Sequence, residues 1–316
     1  MLALTAAFTP ALSGSSRSQQ NLNLEHRYRI KGAVRPLLFW ISADDIGGAR
    51  IVRSSVNGDQ VYSLLIGSDP RRAPKKVNDW GYLRESTSGP ATTVFGLRTL
   101  TDGDSPQDAE MRRSRPDTQV EFGLVCSTVS GDQVQSTTGK APFSRDATFR
   151  EFDLLMSSLG AVTWTPHDSE RPPGVAAGFL GAMDVMMRES AASARENPSR
   201  LYVPSSAYVY KDTIYDFVSR HTERVPRMRT RTRELHNLIR ADLVITNRST
   251  RAKTDFSVTF GTEGDLEGVP VHARYQPKWW FRIELELDDE ADVPADPARD
   301  PAVLAGIDQL CRSAVQ

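Results

Sequence analysis

The sequence has few cysteines, almost no net charge and no long apolar run, and each of these absences excludes a class of protein. Two cysteines in 316 residues are too few for a disulfide-dense scaffold or a structural zinc site built from thiols. Lys and Arg (39) nearly balance Asp and Glu (40), which argues against polyanion binding over the whole surface and against general nucleic-acid binding. No apolar run reaches the roughly 18 to 20 residues of a transmembrane helix.

Sequence motifs with a known chemical mechanism are also missing. The chain contains no HExxH, GxSxG, CxxC or GxGxxG pattern, and its five histidines do not cluster in the sequence. These absences favour a protein without a catalytic centre, and they predict no cofactor and no metal site. An enzyme remains the alternative, because the members of a Ser/His/Asp triad need no proximity in sequence.

The N-terminal residues resemble the apolar half of an export signal. Residues 2–12 are mostly apolar and precede a stretch rich in Gly, Ser, Gln and Asn, but the first basic residue, Arg17, follows the apolar run. We interpret residues 1–23 as a clipped signal or a disordered N-terminus, and we expect a periplasmic or secreted protein. The protein is cytoplasmic if residues 1–20 are not an export signal. An exported chain could pair Cys126 with Cys311, whereas two buried free thiols are the alternative.

Most of the remaining chain alternates apolar and polar residues with the period of a β-strand. Asn57-Gly58 lies between two such segments and predicts a tight hairpin, and Lys211-Asp212 predicts a weaker one. Four further alternating segments occupy the C-terminal third and have short connections. The pattern predicts an α+β protein, mainly antiparallel β, in which a sandwich or a strongly curved sheet has one buried face.

Helical spacing of apolar residues appears in the middle and at the end of the chain. Residues 147–160 and about 175–195 predict two helices, with a Pro/Gly-rich loop around 165–174 between them. Residues 24–290 thus form a single β-rich domain with a helical insertion at about 145–197. Residues 291–316 are predicted to be an acidic, Pro-rich linker and a short docked helix, which Asp300-Pro301 begins.

Asp44 and Asp45 are the most enzyme-like feature of the sequence. They precede Gly47-Gly48, and two carboxylates beside glycines could form an acid/base pair of a hydrolase. Adjacent residues of an extended chain point to opposite faces, however, so a turn with Asx hydrogen bonds is the simpler interpretation.

A ladder of alternating arginines is the strongest candidate for an anion site: Arg227, Arg229, Arg231 and Arg233. On one strand face they could grip phosphate, sulfate or carboxylate groups. Residues 284–300 are acidic, so pairing between these two parts of the chain is the competing interpretation.

Trp279 and Trp280 follow Lys278 in an aromatic and basic run that could stack on a sugar or another ligand. We therefore expect a non-catalytic binding or structural protein of the cell envelope, with an anionic or carbohydrate ligand as candidates. A hydrolase that uses a carboxylate pair and polyanion binding through the arginine-lined strand are the alternatives. The binding hypothesis predicts an apolar pocket or an exposed tryptophan platform.

Overall fold

The computed structural model describes residues 22–34, 41–56, 58–100, 120–143, 147–159, 162–197, 199, 201–278 and 281–315. Within these ranges fourteen strands form one antiparallel sheet that packs with three α-helices, which confirms the predicted fold class. The strands are β1 (Leu22–Val34), β2 (Ile41–Val56), β3 (Asp59–Ser68), β4 (Trp80–Ser88), β5 (Ala91–Thr99), β6 (Val120–Ser130), β7 (Gln133–Phe143), β8 (Thr163–Glu170), β9 (Ser206–Tyr210), β10 (Thr213–Arg229), β11 (Glu234–Asn247), β12 (Lys253–Gly261), β13 (Pro270–Lys278) and β14 (Phe281–Leu287). The helices are α1 (Phe152–Ser158), α2 (Phe179–Glu196) and α3 (Pro301–Val315).

The sheet consists of two meanders that meet side by side. Its strand order is β8-β7-β6-β5-β4-β3-β2-β1-β14-β13-β12-β11-β10-β9. Neighbours in the sheet are therefore neighbours in sequence everywhere except at β1 and β14, where Tyr28 lies opposite Leu287. The two edges of the sheet are β8 and β9, which are joined in the chain by the segment that contains α2.

The sheet is rolled so that one edge lies inside the other half. Ala207 and Val209 of β9 pack against Val129 and Val134 of β6 and β7 in one apolar cluster. Tyr208, whose side chain alternates with theirs, belongs to a different cluster with α2. Strand β9 thus has packing partners on both faces, and its outer face covers the inner face of the first meander.

Helix α2 packs in the interior of this roll. Its buried residues Met183, Met186 and Met187 share a cluster with Phe217 of β10 and Phe260 of β12. The helix carries its apolar residues on one stripe, so burying that stripe on the inner face of the sheet is the main source of its stability.

Helices α1 and α3 cover the outer face of the first meander. Phe152 of α1 and Ile307 of α3 belong to one cluster with Trp80 and Phe122. The Sγ atoms of Cys126 on β6 and Cys311 on α3 lie 2.03 Å apart in a disulfide, which fixes α3 to the sheet. Of the helices in the described ranges, none has the length and hydropathy to cross a membrane.

The segment between β14 and α3, which the sequence predicts to be an acidic, Pro-rich linker, packs against the sheet. Ala291 and Val293 are 4% and 7% exposed. Arg50 donates hydrogen bonds to the carbonyl oxygens of Val293 and Pro294 at 2.7 and 2.5 Å. Asp296 accepts from Ser63 and from Tyr82. The proline-rich composition here marks an irregular chain that buries its polar groups against β2, β3 and β4.

Local turn signals predicted two hairpins, and a strand between the helices was missed. Gly58 at φ +92° supports the β2–β3 turn, and Lys211 at φ +62° supplies the left-handed residue of the β9–β10 turn without a glycine. Residues 163–170 form β8, although we expected residues from 165 onward to be a loop. Pro166 is tolerated because β8 is an edge strand that pairs only with β7.

Candidate ligand-binding cavity

A cavity of about 880 Å³ lies on the inner face of the rolled sheet. One wall is formed by β3 to β8, and the other by the β9–β10 hairpin and the exposed Tyr275 of β13. This volume falls within the roughly 300 to 1,000 Å³ typical of small-molecule sites. The side chains of the apolar wall are Leu64, Ile66, Leu83, Val125, Phe179, Tyr208 and Tyr210.

Two rows of residues cross the sheet at the cavity, and the strand register defines them. The inner row contains Leu64, Leu83, Gly96, Val125, Thr138 and Thr165. The outer row contains Ile66, Gly81, Arg98, Gly123, Lys140 and Thr163. Because neighbouring rows on one face are two residues apart along each strand, an apolar row lies directly beside a row that carries two cations.

Glycines on the inner face let other side chains approach the sheet backbone closely. Gly96 lies between Leu83 and Val125, and a Cβ atom built there would be 3.3 Å from the Tyr210 hydroxyl. A Cβ on Gly123 would be 3.0 Å from Leu100. Glycine in the interior of a strand weakens it, and at these two positions it makes room for the Tyr210 hydroxyl and for Leu100.

The tyrosines give the cavity an apolar lining that ends in hydroxyl groups. Burial raises the pKa of Tyr208 and that of Tyr210, so both phenols stay protonated and can donate a hydrogen bond. Burial also raises the pKa of Tyr275, while the nearby Arg98 guanidinium opposes that shift. The lining is therefore apolar and uncharged in depth, with its charged groups at the outer row.

Lys211 approaches the outer row from the opposite wall. Its Nζ lies over the Tyr210 ring at 5.7 Å from the ring centroid. Burial lowers the pKa of Lys211, and repulsion from Arg98 lowers it further, while Asp212 raises it. The two cations therefore share one region of the cavity rim.

His167 connects the two edges of the sheet beside this rim. Its Nε2 lies 2.9 Å from the Thr138 hydroxyl on β7, and its Nδ1 lies 3.3 Å from Asp212 in the β9–β10 turn. The contact holds the turn that carries Lys211 against the strand that carries the other wall.

Glu85 lies beyond Leu83 on the same face of β4. Its carboxylate accepts hydrogen bonds from the backbone N–H groups of Leu180 and Gly181 at 2.8 and 2.9 Å. Burial raises the pKa of Glu85, and the backbone hydrogen bonds oppose that shift. A buried carboxylate thus satisfies the first turn of α2, where the helix dipole favours a negative charge. This anchors Phe179, the first residue of α2, against the cavity.

The predicted carboxylate pair does not form a concave catalytic site. Asp44 is exposed, and the side chain of Asp45 is 39% exposed at φ +58°. Asp45 contacts Arg72 at 3.0 Å and Arg29 at 3.9 Å, so its partners are cations rather than the second acid or histidine that general acid/base chemistry needs. Within the described residues no three or more His, Cys, Asp or Glu side chains form a metal-binding group.

The arginine ladder is divided between a strand and a turn. Strand β10 ends at Arg229, because the N–H of Thr230 donates to the carbonyl of Arg233 and turns the chain. Arg233 contacts Asp289 at 3.2 Å, and the N–H of Arg231 donates to Glu286 at 3.0 Å. The expectation of four arginines on one strand face is wrong, and the basic and acidic parts of the chain meet here. Trp279 and Trp280 lie outside the described residues.

Sequence reasoning missed Arg98, Lys140 and Lys211, because they are far apart in sequence. Strand pairing puts Arg98 and Lys140 in one row, and the roll adds Lys211 to the same cavity. The signal that could have found them is the pair of strand glycines, Gly81 and Gly123, which flank Arg98 in the register. In comparisons with known proteins, no family model, no curated protein and no solved structure matches this chain.

Proposed function

We propose that this chain is a non-catalytic binding protein that holds a ligand with an elongated apolar part inside the rolled sheet. The observation that supports this is the cavity of about 880 Å³ with a mainly apolar wall. Removing apolar surface from water is worth about 25 cal/mol per Å², so a long aliphatic chain gains affinity simply by entering such a space. Ligand sites combine an apolar lining with a few placed polar groups, as this one does.

An aliphatic ligand agrees with the wall better than a carbohydrate does. Sugar hydroxyls need many hydrogen-bond partners, and leaving a buried polar group unpaired costs about 1–3 kcal/mol. The inner row offers Leu64, Leu83, Gly96 and Val125 over most of its length, with threonine hydroxyls only at its β7 and β8 end.

We also infer that the protein works in an oxidising compartment, either the periplasm or the outside of the cell. The disulfide between Cys126 and Cys311 supports this, because cytosolic thiols are kept reduced. The apolar residues 2–12 agree with export. Alkylation of thiols in intact cells tests the inference, because an exported chain keeps both cysteines blocked until reductant is added. Free thiols in a cytosolic fraction would contradict it.

A cavity-filling substitution tests the binding function. Val125 and Thr128 lie on β6 with side chains on opposite faces, and Val125 is 5% exposed whereas Thr128 is exposed. We expect Val125→Trp to weaken binding of the neutral probe N-phenyl-1-naphthylamine by about tenfold or more, which corresponds to about 1.4 kcal/mol. The matched control Thr128→Trp adds an indole of the same size outside the cavity and should bind normally.

Leu83→Phe is a milder filling variant for use if Val125→Trp fails to fold, as judged by circular dichroism. Probe binding that is equal in wild type, Thr128→Trp and the folded filling variants would refute the cavity as the site. Absence of probe binding to the wild type would refute the function itself.

A further inference from the structure

We propose that the ligand is an amphiphile with an anionic head, and that Arg98 and Lys211 hold that head at the cavity rim, with Lys140 beside them. This inference rests on the proposed function and specifies its ligand class. The apolar interior of the cavity would by itself accept any aliphatic molecule. The cations at its rim favour aliphatic molecules with an anionic head.

The register places the cations where the head of an inserted chain would be. Arg98 on β5 and Lys140 on β7 both lie opposite Gly123 on β6. Strands are about 4.8 Å apart, so the Cα atoms of these two residues are separated by roughly 10 Å. The Leu100 side chain covers Gly123 between them. The adjacent row toward the interior is apolar. Arg98, Lys140 and Lys211 line the same cavity as this apolar row, so the polar end of a chain held there has cations within the cavity lining.

The rim has an excess of positive charge among the described residues. No described carboxylate lies within 4.0 Å of Arg98 or of the Lys211 amine, whereas Arg248 and Arg195 elsewhere on the surface have carboxylate partners at 2.7 Å. The nearest described carboxylate to Lys140 is Glu121 at 3.9 Å, and both side chains are largely exposed, so water screens this long contact. Asp212 faces His167 instead.

Two like charges held near an apolar wall repel each other. Burial and Arg98 both act against the charged form of Lys211, whose Nζ lies over the Tyr210 ring. An oxyanion between these cations would relieve their repulsion. Arg binds carboxylate and phosphate oxygens in a bidentate manner, and Lys adds a point charge.

The same recognition chemistry fits a fatty carboxylate and a phosphate on a lipid. Both present oxyanions on an aliphatic chain, and they differ in charge and in the bulk of the head. We therefore test hexadecanoate and palmitoyl lysophosphatidate in parallel, with hexadecanol as the uncharged reference. Each ligand is measured by displacement of N-phenyl-1-naphthylamine from the full chain, well below its critical micelle concentration.

The wild type should bind at least one of the anions about tenfold more tightly than hexadecanol at low salt. The double variant Arg98→Gln/Lys211→Gln should lose that preference and keep its affinity for hexadecanol. The control Arg220→Gln/Lys253→Gln removes the same charge from exposed positions on β10 and β12 and should keep the preference. Preference for one anion identifies the source of the oxyanion.

Several results would overturn the inference. Equal affinity of the wild type for hexadecanol and both anions would refute the charged rim and leave the apolar cavity intact. A preference that survives in Arg98→Gln/Lys211→Gln would refute these residues as its cause. If the double variant fails to fold, the single variants Arg98→Gln and Lys211→Gln each replace it under the same criterion. Displacement by none of the three ligands would refute the proposed function together with the inference.

Discussion

Reduction of the disulfide should strongly destabilise the protein, and the loss of unfolding free energy follows from the length of the loop that the disulfide closes. Cys126 and Cys311 are 185 residues apart in sequence. A cross-link that closes a loop of this length lowers the entropy of the unfolded chain by the equivalent of about 5 kcal/mol at 25 °C. Native disulfides usually contribute about 2–5 kcal/mol, so the expected loss lies at the upper end of that range.

The folded state should change little on reduction. Helix α3 remains in contact with the sheet through Val303, Ile307 and Ala314, which are 7%, 2% and 8% exposed. The loss of stability therefore comes mainly from the gain in freedom of the unfolded chain. The assay is urea unfolding, followed by tryptophan fluorescence, with and without dithiothreitol. At a slope of about 3 kcal/mol/M, a loss of about 5 kcal/mol lowers the midpoint by about 1.7 M.

The sequence provides a clean control, because the chain contains only two cysteines. Cys126→Ala/Cys311→Ala should unfold at one midpoint whether or not reductant is present. A shift below about 0.3 M in the wild type, equivalent to about 1 kcal/mol, would refute the reasoning. It would mean that the unfolded chain is already restricted by something other than this bond.

Three further predictions concern buried polar groups. Glu85→Gln replaces one of two acceptors at the start of α2 and should cost about 1–3 kcal/mol. Burial raises the pKa of Glu85 above its ordinary 4.5, so the contribution of this carboxyl to stability is complete below pH 4.5 and is lost as pH rises through its folded-state pKa. The cost of Glu85→Gln in urea unfolding should therefore be larger in acid than at neutral pH. A smaller cost in acid would contradict this. Asp288→Ala removes the carboxylate that lies 2.5 Å from the buried Arg29 guanidinium and should cost about 3–5 kcal/mol of stability. In a double-mutant cycle, Arg29→Leu/Asp288→Ala should cost less than the sum of the two single variants. Additive costs would refute an energetic coupling between Arg29 and Asp288. Burial lowers the pKa of His26, whose Nε2 has no hydrogen-bond partner among the described residues, so its contribution to stability is present above pH 6.5 and lost as pH falls through the lowered value. His26→Leu should flatten the stability profile between about pH 7.5 and about pH 5, and an unchanged slope would count against it.

The fold class was predictable because most strands show an alternation of apolar and polar residues in their own sequence. Tyr28 and Ile30 alternate with charged neighbours, and the Asn57-Gly58 pair fixes the β2–β3 register locally. Strand β8 was not predictable in this way, since the side chains of Thr165, Pro166 and Asp168 are all exposed. Strand β8, unlike the other edge strand β9, buries too little on either face to impose an alternating pattern.

The cavity could be predicted only as a category. An apolar pocket was expected of a binding protein, but its walls come from strands that the roll brings together. Leu83 and Val125 look like ordinary core residues in sequence, and only the structure shows that both line a cavity with Tyr208 and Tyr210. The arginine ladder was predicted instead of the rim cations, because its residues are close together in the sequence. The rim cations are close together only in the folded structure.

The strand order also has a consequence for how the chain folds. Every described strand pairing except β1 with β14 joins consecutive strands, so each meander can form through local contacts that close quickly. The pairing of β1 with β14 is different, since Tyr28 and Leu287 must meet after two nearly complete halves exist. We expect that association to limit the folding rate. A backbone cut between Asn197 and Ser205 would leave two whole meanders, and the two fragments should reassemble into the native roll.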